Sequence, residues 1–150
     1  MPIAAQGLTT SQFLATKPNL FTSNFQFPVM VLRDSSLDHN IKRMAAYCKG
    51  HGFELAPHAK TPMSPQIAKR QIDAGAWGLT VANFNQARIM VEYGFKKLII
   101  GNEVMEPTSI AEIAKINGSG AGHIIFYIDS LAGLKIAQQS IDGVANAKLN

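Results

Sequence analysis

The chain has 150 residues, 47% of them hydrophobic and 16% charged, which excludes a disordered protein and matches the size of one ordinary domain. Its net charge of +4 comes without any basic run, so the stripe of a nucleic-acid binder is missing, and no stretch approaches the roughly 20 apolar residues of a membrane helix. A single cysteine, Cys48, excludes a disulfide framework and a zinc ribbon alike.

Residues 1–13 carry neither a basic n-region nor a long apolar stretch, so no secretory signal is expected. With the lone cysteine, this points to a cytoplasmic protein without membrane or nucleic-acid partners. Residues 1–27 mix polar residues with scattered phenylalanines and show no clean period. They read as a lead-in segment that packs through Phe21, Phe25 and Phe27 on later structure. From Pro28 the texture changes. Residues 29–32 form a short β-type run, Asp34, Ser35 and Ser36 offer helix caps, and Leu37, Ile41, Met44 and Cys48 follow at helical spacing up to Gly50.

A strand–helix module then recurs. Residues 53–56 read as a strand, and Ser64-Pro65 opens a helix that stops at Gly75. Residues 78–82 are a second strand, and Asn83 caps a helix ending at Gly94. Residues 97–100 are a third strand, followed by a helix from Pro107 to near Gly118. Residues 123–128 are a fourth, and Asp129 or Ser130 caps a helix ended by Gly143. Residues 147–150 look like the opening of a fifth strand.

Near-continuous apolar strands alternating with helices predict an α/β fold with a parallel sheet, either doubly wound or a (β/α)8 barrel. No GxGxxG or GxxxxGK[ST] is present, so the common nucleotide fingerprints of open sheets are missing. A barrel takes about 250 residues. The expectation is therefore the N-terminal half of a TIM-type barrel, truncated near its fifth strand, with residues 1–27 as lead-in and 28–150 as a partial barrel domain.

Chemistry concentrates where the first strand meets its loop, at Pro57-His58-Ala59-Lys60-Thr61. Continuing the strand through this run puts Ala56, His58 and Lys60 on one face. A lysine dehydrated at such a place favours the neutral amine that attacks carbonyls. On composition alone, an ordinary solvated lysine at a strand end accounts for Lys60 better.

Residues 55–61, Leu-Ala-Pro-His-Ala-Lys-Thr, resemble the PHxKT signature of the fold-type III pyridoxal-phosphate enzymes. The likeness is to the D-threonine aldolase and D-serine dehydratase family, in the alanine-racemase N-terminal-domain superfamily. It extends through Pro28 to Leu32 with Leu37, Asn40 and Ile41, then Gln71 to Gly78, Thr80 to Ala82, Ile100 to Val104, and Tyr127 to Ser130. The resemblance implies that Lys60 bonds the aldehyde of pyridoxal 5'-phosphate and releases substrate by exchange. It also implies that His58 lies beside the cofactor, as a catalytic or a structural histidine. Thr61, Asn102 and Asp129 are the further cofactor-contact candidates, Asp129 doubling as an ordinary helix cap. His123 begins a strand and falls at the opposite rim.

Where well-known members carry an arginine before the PH pair and a His-Lys pair after KT, this chain has Ala56, Pro62 and Met63. That departure points to an amino-acid deaminase branch. The implied activity is a PLP-dependent lyase or deaminase acting on small D-amino acids, homodimeric at full length, with the 150-residue piece inactive alone. An amino-acid racemase, a non-catalytic PLP carrier and a non-enzymatic open-sheet interaction module are the alternatives. No metal spacing occurs among His39, His51, His58 and His123; a divalent metal would be held by residues outside these 150.

Overall fold

Thr9 and Gln12 exchange hydrogen bonds, Gln12 N to Thr9 Oγ1 at 3.2 Å and Thr9 N to Gln12 Oε1 at 2.8 Å, and so satisfy two donors at the start of helix α1 (Thr10–Ala15). The computed structural model describes residues 2–150, which divide into two compact units, 2–37 and 38–150. In the first, the phenylalanines pair with one another: Phe13 meets Phe25 edge-on at 6.2 Å and Phe21 stacks with Phe27 at 6.5 Å. Phe21 and Phe27 are nonetheless exposed. The run 29–32, expected as a strand, is not one, and its Met30 is 95% exposed. β-propensity without a neighbouring strand leaves backbone groups to water.

Helix α2 (Asp34–Gly50) starts at the residue read as its cap, so Asp34 and the two serines occupy its first turns. In the second unit, Ser64 Oγ accepts from Ile67 N at 3.4 Å and opens α3 (Pro65–Asp73), with Pro65 in the first turn where a missing N–H costs nothing. Strand β1 (Leu79–Val81) follows, then α4 (Phe84–Glu92), capped by Asn83 Oδ1 on Gln86 N at 3.0 Å. Strand β2 (Lys97–Glu103), helix α5 (Pro107–Ser119) and strand β3 (His123–Tyr127) come next. Ser130, not Asp129, caps α6 (Leu131–Ser140) through a 3.1 Å bond from Gly133 N.

The strands form a parallel sheet in the order β1-β2-β3, with Leu79 opposite Leu98 and Leu98 opposite Ile124. Alternation along each strand sends Leu79, Val81, Leu98, Ile100 and Ile124 to one face, and all five are fully buried. They pack with Ala68 of α3, Ala87 and Met90 of α4, Ile110 and Ile113 of α5 and Ala137 of α6. The opposite face carries Thr80, Ile99, Gly101 and Ile125, smaller or less covered. This is the α/β parallel sheet that the apolar runs predict.

The strand expected at 53–56 shrinks to one bridge, His58 with Thr80. Thr80 N donates to Pro57 O at 2.8 Å and Ala59 N to Thr80 O at 2.7 Å. Pro57 has no N–H to continue the ladder on the side facing β1. The fifth strand is not formed either: Lys148 N donates to Ala114 O of α5 at 3.1 Å and Leu149 packs on the core. Gly118, expected to end α5, lies inside it. A side chain there would run into the Asn146 carbonyl, so the glycine seats this tail. The helix stops at Gly120, whose φ of +75° is left-handed.

Asn117 is buried on α5. Its Nδ2 donates to Ile124 O at 2.9 Å and its Oδ1 accepts from Ile124 N at 2.7 Å. His123 N faces β2 through Lys96 O, so Ile124 presents both groups to the free edge of β3, where this amide stands in for a strand. Replacing Asn117 by leucine orphans both groups, at about 1–3 kcal/mol each. Urea unfolding of N117L should show this loss, and a midpoint equal to that of the wild type would refute the clamp.

Between α2 and α3, Asp38 Oδ2 lies 2.7 Å from Lys42 Nζ and Asp38 Oδ1 lies 3.6 Å from Arg70 Nη2. The Lys42 hydrogen bond is the largest influence on the Asp38 carboxyl; loss of water opposes it, but the Lys42 charge and the Arg70 hydrogen bond and charge add to it, and together they hold the group below its ordinary 3.8. Its stabilising contribution is thus present above 3.8 and lost as pH falls through the lowered value. Asp38→Asn should therefore flatten the acid limb of stability against pH slightly, because the pair is exposed.

Candidate active site

The C-terminal edge of a parallel sheet is where side chains of successive strand–helix loops converge. Here the edge is built by backbone carbonyls held by side chains. Thr80 Oγ1 donates to Ala56 O at 2.7 Å and fixes the approach to His58. Asn102 Nδ2 donates to Ala82 O at 2.8 Å and joins the end of β2 to that of β1. Gln86 Nε2 donates to Lys60 O at 3.3 Å, while its Oε1 accepts from Ala82 N at 2.9 Å.

His58 projects over β2. A side-chain carbon built on Gly101 would stand 3.5 Å from His58 Cε1 and 3.2 Å from Thr80 Cγ2, so the bare glycine leaves the space beside the imidazole. Gly101 and Asn102 lie in an irregularity of the ladder: Ile100 pairs with Phe126, but Glu103 pairs with Tyr127. Two residues on β2 are extra there. A bulge of this kind re-aims side chains next to functional sites, and here the amide of Asn102 turns across to β1.

Lys60 does not continue a strand. Residues 60–62 form a turn, closed by Met63 N on Ala59 O at 3.0 Å, with Met63 at φ +38°. The alternation still holds locally, since Ala59 is buried while His58 and Lys60 are exposed. The dehydration expected for the amine is absent, because the lysine stands past the last sheet bond. Thr61 is exposed in the same turn.

Asn102 is linked to the Lys60 carbonyl through Ala82 and Gln86. Asp129 follows β3 on the far strand, exposed and outside the α6 cap. At about 4.8 Å per strand, an in-plane separation of roughly 14 Å lies between the His58 segment and β3. Thr80 and Gly101 are marked in the sequence only as members of resembling stretches, with nothing to show their part in the site, and Gln86 carries no signal there at all, being an ordinary glutamine in a helix. His123 sits at the opposite rim, as expected, its ring edge-on to Trp77 at 6.0 Å, with Lys97 Nζ 5.1 Å from the indole centre. Among the described residues no group of three or more His, Cys, Asp and Glu could hold a metal, and no helix is long and apolar enough to cross a membrane.

The residues present fit a cofactor aldehyde: a solvent-open primary amine, an imidazole two residues before it, and a glycine that leaves room beside the ring. No family model matches the chain. The 3-hydroxy-D-aspartate aldolase of Paracoccus denitrificans is 30% identical over 125 residues, covering 81% of this chain and 32% of the aldolase. The D-threonine aldolase of Arthrobacter sp is 33% identical over 89 residues, covering 59% of this chain and 24% of the relative. The chain thus spans a third or less of the curated relatives it matches. Its fold matches the crystal structure of D-threonine aldolase from Filomicrobium marinum, with a TM-score of 0.76 at 24% identity over 85% of this chain and 34% of that one. The chain is a relative of these D-amino-acid aldolases, in the fold-type III pyridoxal-phosphate family that its sequence resembles.

Proposed function

We propose that this chain is the lysine-bearing part of a PLP-dependent lyase or deaminase acting on small D-amino acids with a β-hydroxyl group. On this reading residues 28–150 are the N-terminal half of a (β/α)8 barrel, and the uncovered sheet face carrying His58, Thr80 and Gly101 is the barrel's inner wall. Residues 1–27 are its lead-in, and the 150 residues alone turn over nothing. The full-length protein is a cytoplasmic homodimer that binds neither nucleic acid nor membrane. Any divalent metal is held outside this chain.

One observation carries the reading: His58 stands over Gly101 at the C-terminal edge of the sheet and Lys60 follows it by two residues in the turn beyond that edge, in a chain related to D-amino-acid aldolases. Pyridoxal phosphate bound there would supply an aldehyde for covalent capture and a conjugated ring that accepts electron density from a bond broken at the substrate Cα. The chain's own part is positioning and proton transfer. Lys60 Nζ is the amine that holds the cofactor and then takes or returns the proton at Cα. His58 packs beside the ring over Gly101. Thr61, Asn102 and Asp129 provide polar contacts around the mouth, with Asn102 also fixing the β1 end through Ala82 O.

Loss of the β-hydroxyl would end in a keto acid and ammonia; cleavage of Cα–Cβ would end in glycine and an aldehyde. Adding pyridoxal phosphate to the protein should produce a new absorption band and, after borohydride, a stable adduct on Lys60. Lys60→Ala should abolish both. A band that persists unchanged in that variant rejects the assignment.

A further inference from the structure

We propose that Gln86 is the positioning residue for Lys60, setting where the amine starts from without touching the reacting atoms. This role rests on Lys60 being the cofactor-binding amine proposed above. The side chain comes from the first turn of α4, where Gln86 N is fixed on Asn83 Oδ1. Its amide orientation is dictated by its partners. Ala82 N can only donate, so Oε1 faces it, and the Lys60 carbonyl can only accept, so the NH2 faces that. Reversing the amide would lose both bonds.

Lys60 needs such support. The segment before it meets the sheet at a single bridge, because Pro57 cannot donate, and the residues after it form a turn. The Gln86 bond ties that turn to a helix 26 positions further along the chain. Ala82 passes the restraint on, since its N–H is held by Gln86 and its carbonyl by Asn102. Displacements of about 1 Å at a reacting group change rates by large factors, so a tether on this carbonyl has leverage on the amine.

Gln86→Glu tests the role. The carboxylate still accepts from Ala82 N but has no proton for the Lys60 carbonyl, so only the tether is cut. The probe is pyridoxal phosphate with borohydride trapping on the full chain, and adducts are mapped by peptide mass. Lys69, an exposed α3 lysine paired with Asp73, serves as the internal reference. We expect the Lys60 adduct to form about five- to tenfold more slowly in Q86E, as for loss of one hydrogen bond. Lys69 labelling and the unfolding temperature should not change. Amide exchange should rise at Lys60, Thr61 and Met63 and stay constant in β2 and β3. Gln86→Ala should slow Lys60 in the same way. Wild-type labelling of Lys60 matched by both variants overturns the role of Gln86 alone. A wild type that forms no adduct at Lys60 overturns the cofactor reading, and this role with it.

Discussion

The burial of Leu79, Val81, Leu98, Ile100 and Ile124 on one side of the sheet decides what the other side can do. Each of these side chains gains roughly 1.5–3 kcal/mol by leaving water, and alternation leaves no choice about where its neighbours point. A shift of one residue would expose all five, so the register is held firmly. The opposite face is fixed as a by-product, and it carries Thr80, Gly101 and the imidazole of His58. Chemistry on that face inherits rigidity from packing in which it takes no part.

The rim differs in character from the core. Its order comes from side-chain amides and a hydroxyl capturing main-chain groups: Thr80 on Ala56, Asn102 on Ala82, and Gln86 on both Ala82 and Lys60. These bonds sit at the solvent boundary, where each contributes modestly. Together they tie the end of β2 to that of β1, and the end of β1 to the turn after His58. The extra residues at Gly101 and Asn102 serve the same end, because a regular strand would have kept Asn102 facing its own pleat.

Much of this was legible in the residues. Three helices of the second unit begin at Ser64, Asn83 and Ser130 because short polar side chains there meet unpaired N–H groups, a local effect written in a few positions. The buried strands are apolar throughout and announce themselves. The His58 and Lys60 pair was visible through its resemblance to known enzymes and not through spacing. What failed depended on partners. Residues 29–32 have strand-like side chains but no ladder, and 53–56 lose theirs to Pro57. Gly118 looked like a stop signal because its actual demand, room for the Asn146 carbonyl, arises 28 positions away. The exposure of Lys60 and the part played by Gln86 escaped for the same reason: both depend on contacts between distant segments.

Asn117 has a geometric consequence for whatever lies alongside β3. Its amide already engages the outward N–H and carbonyl of Ile124, so a parallel neighbour laid on that edge finds its first open sites at Phe126 and beyond. Such a neighbour must enter offset along the strand axis. An accumulated offset is what forces strands to tilt when a sheet rolls up on itself. One buried asparagine thereby sets where along β3 a further strand could first pair.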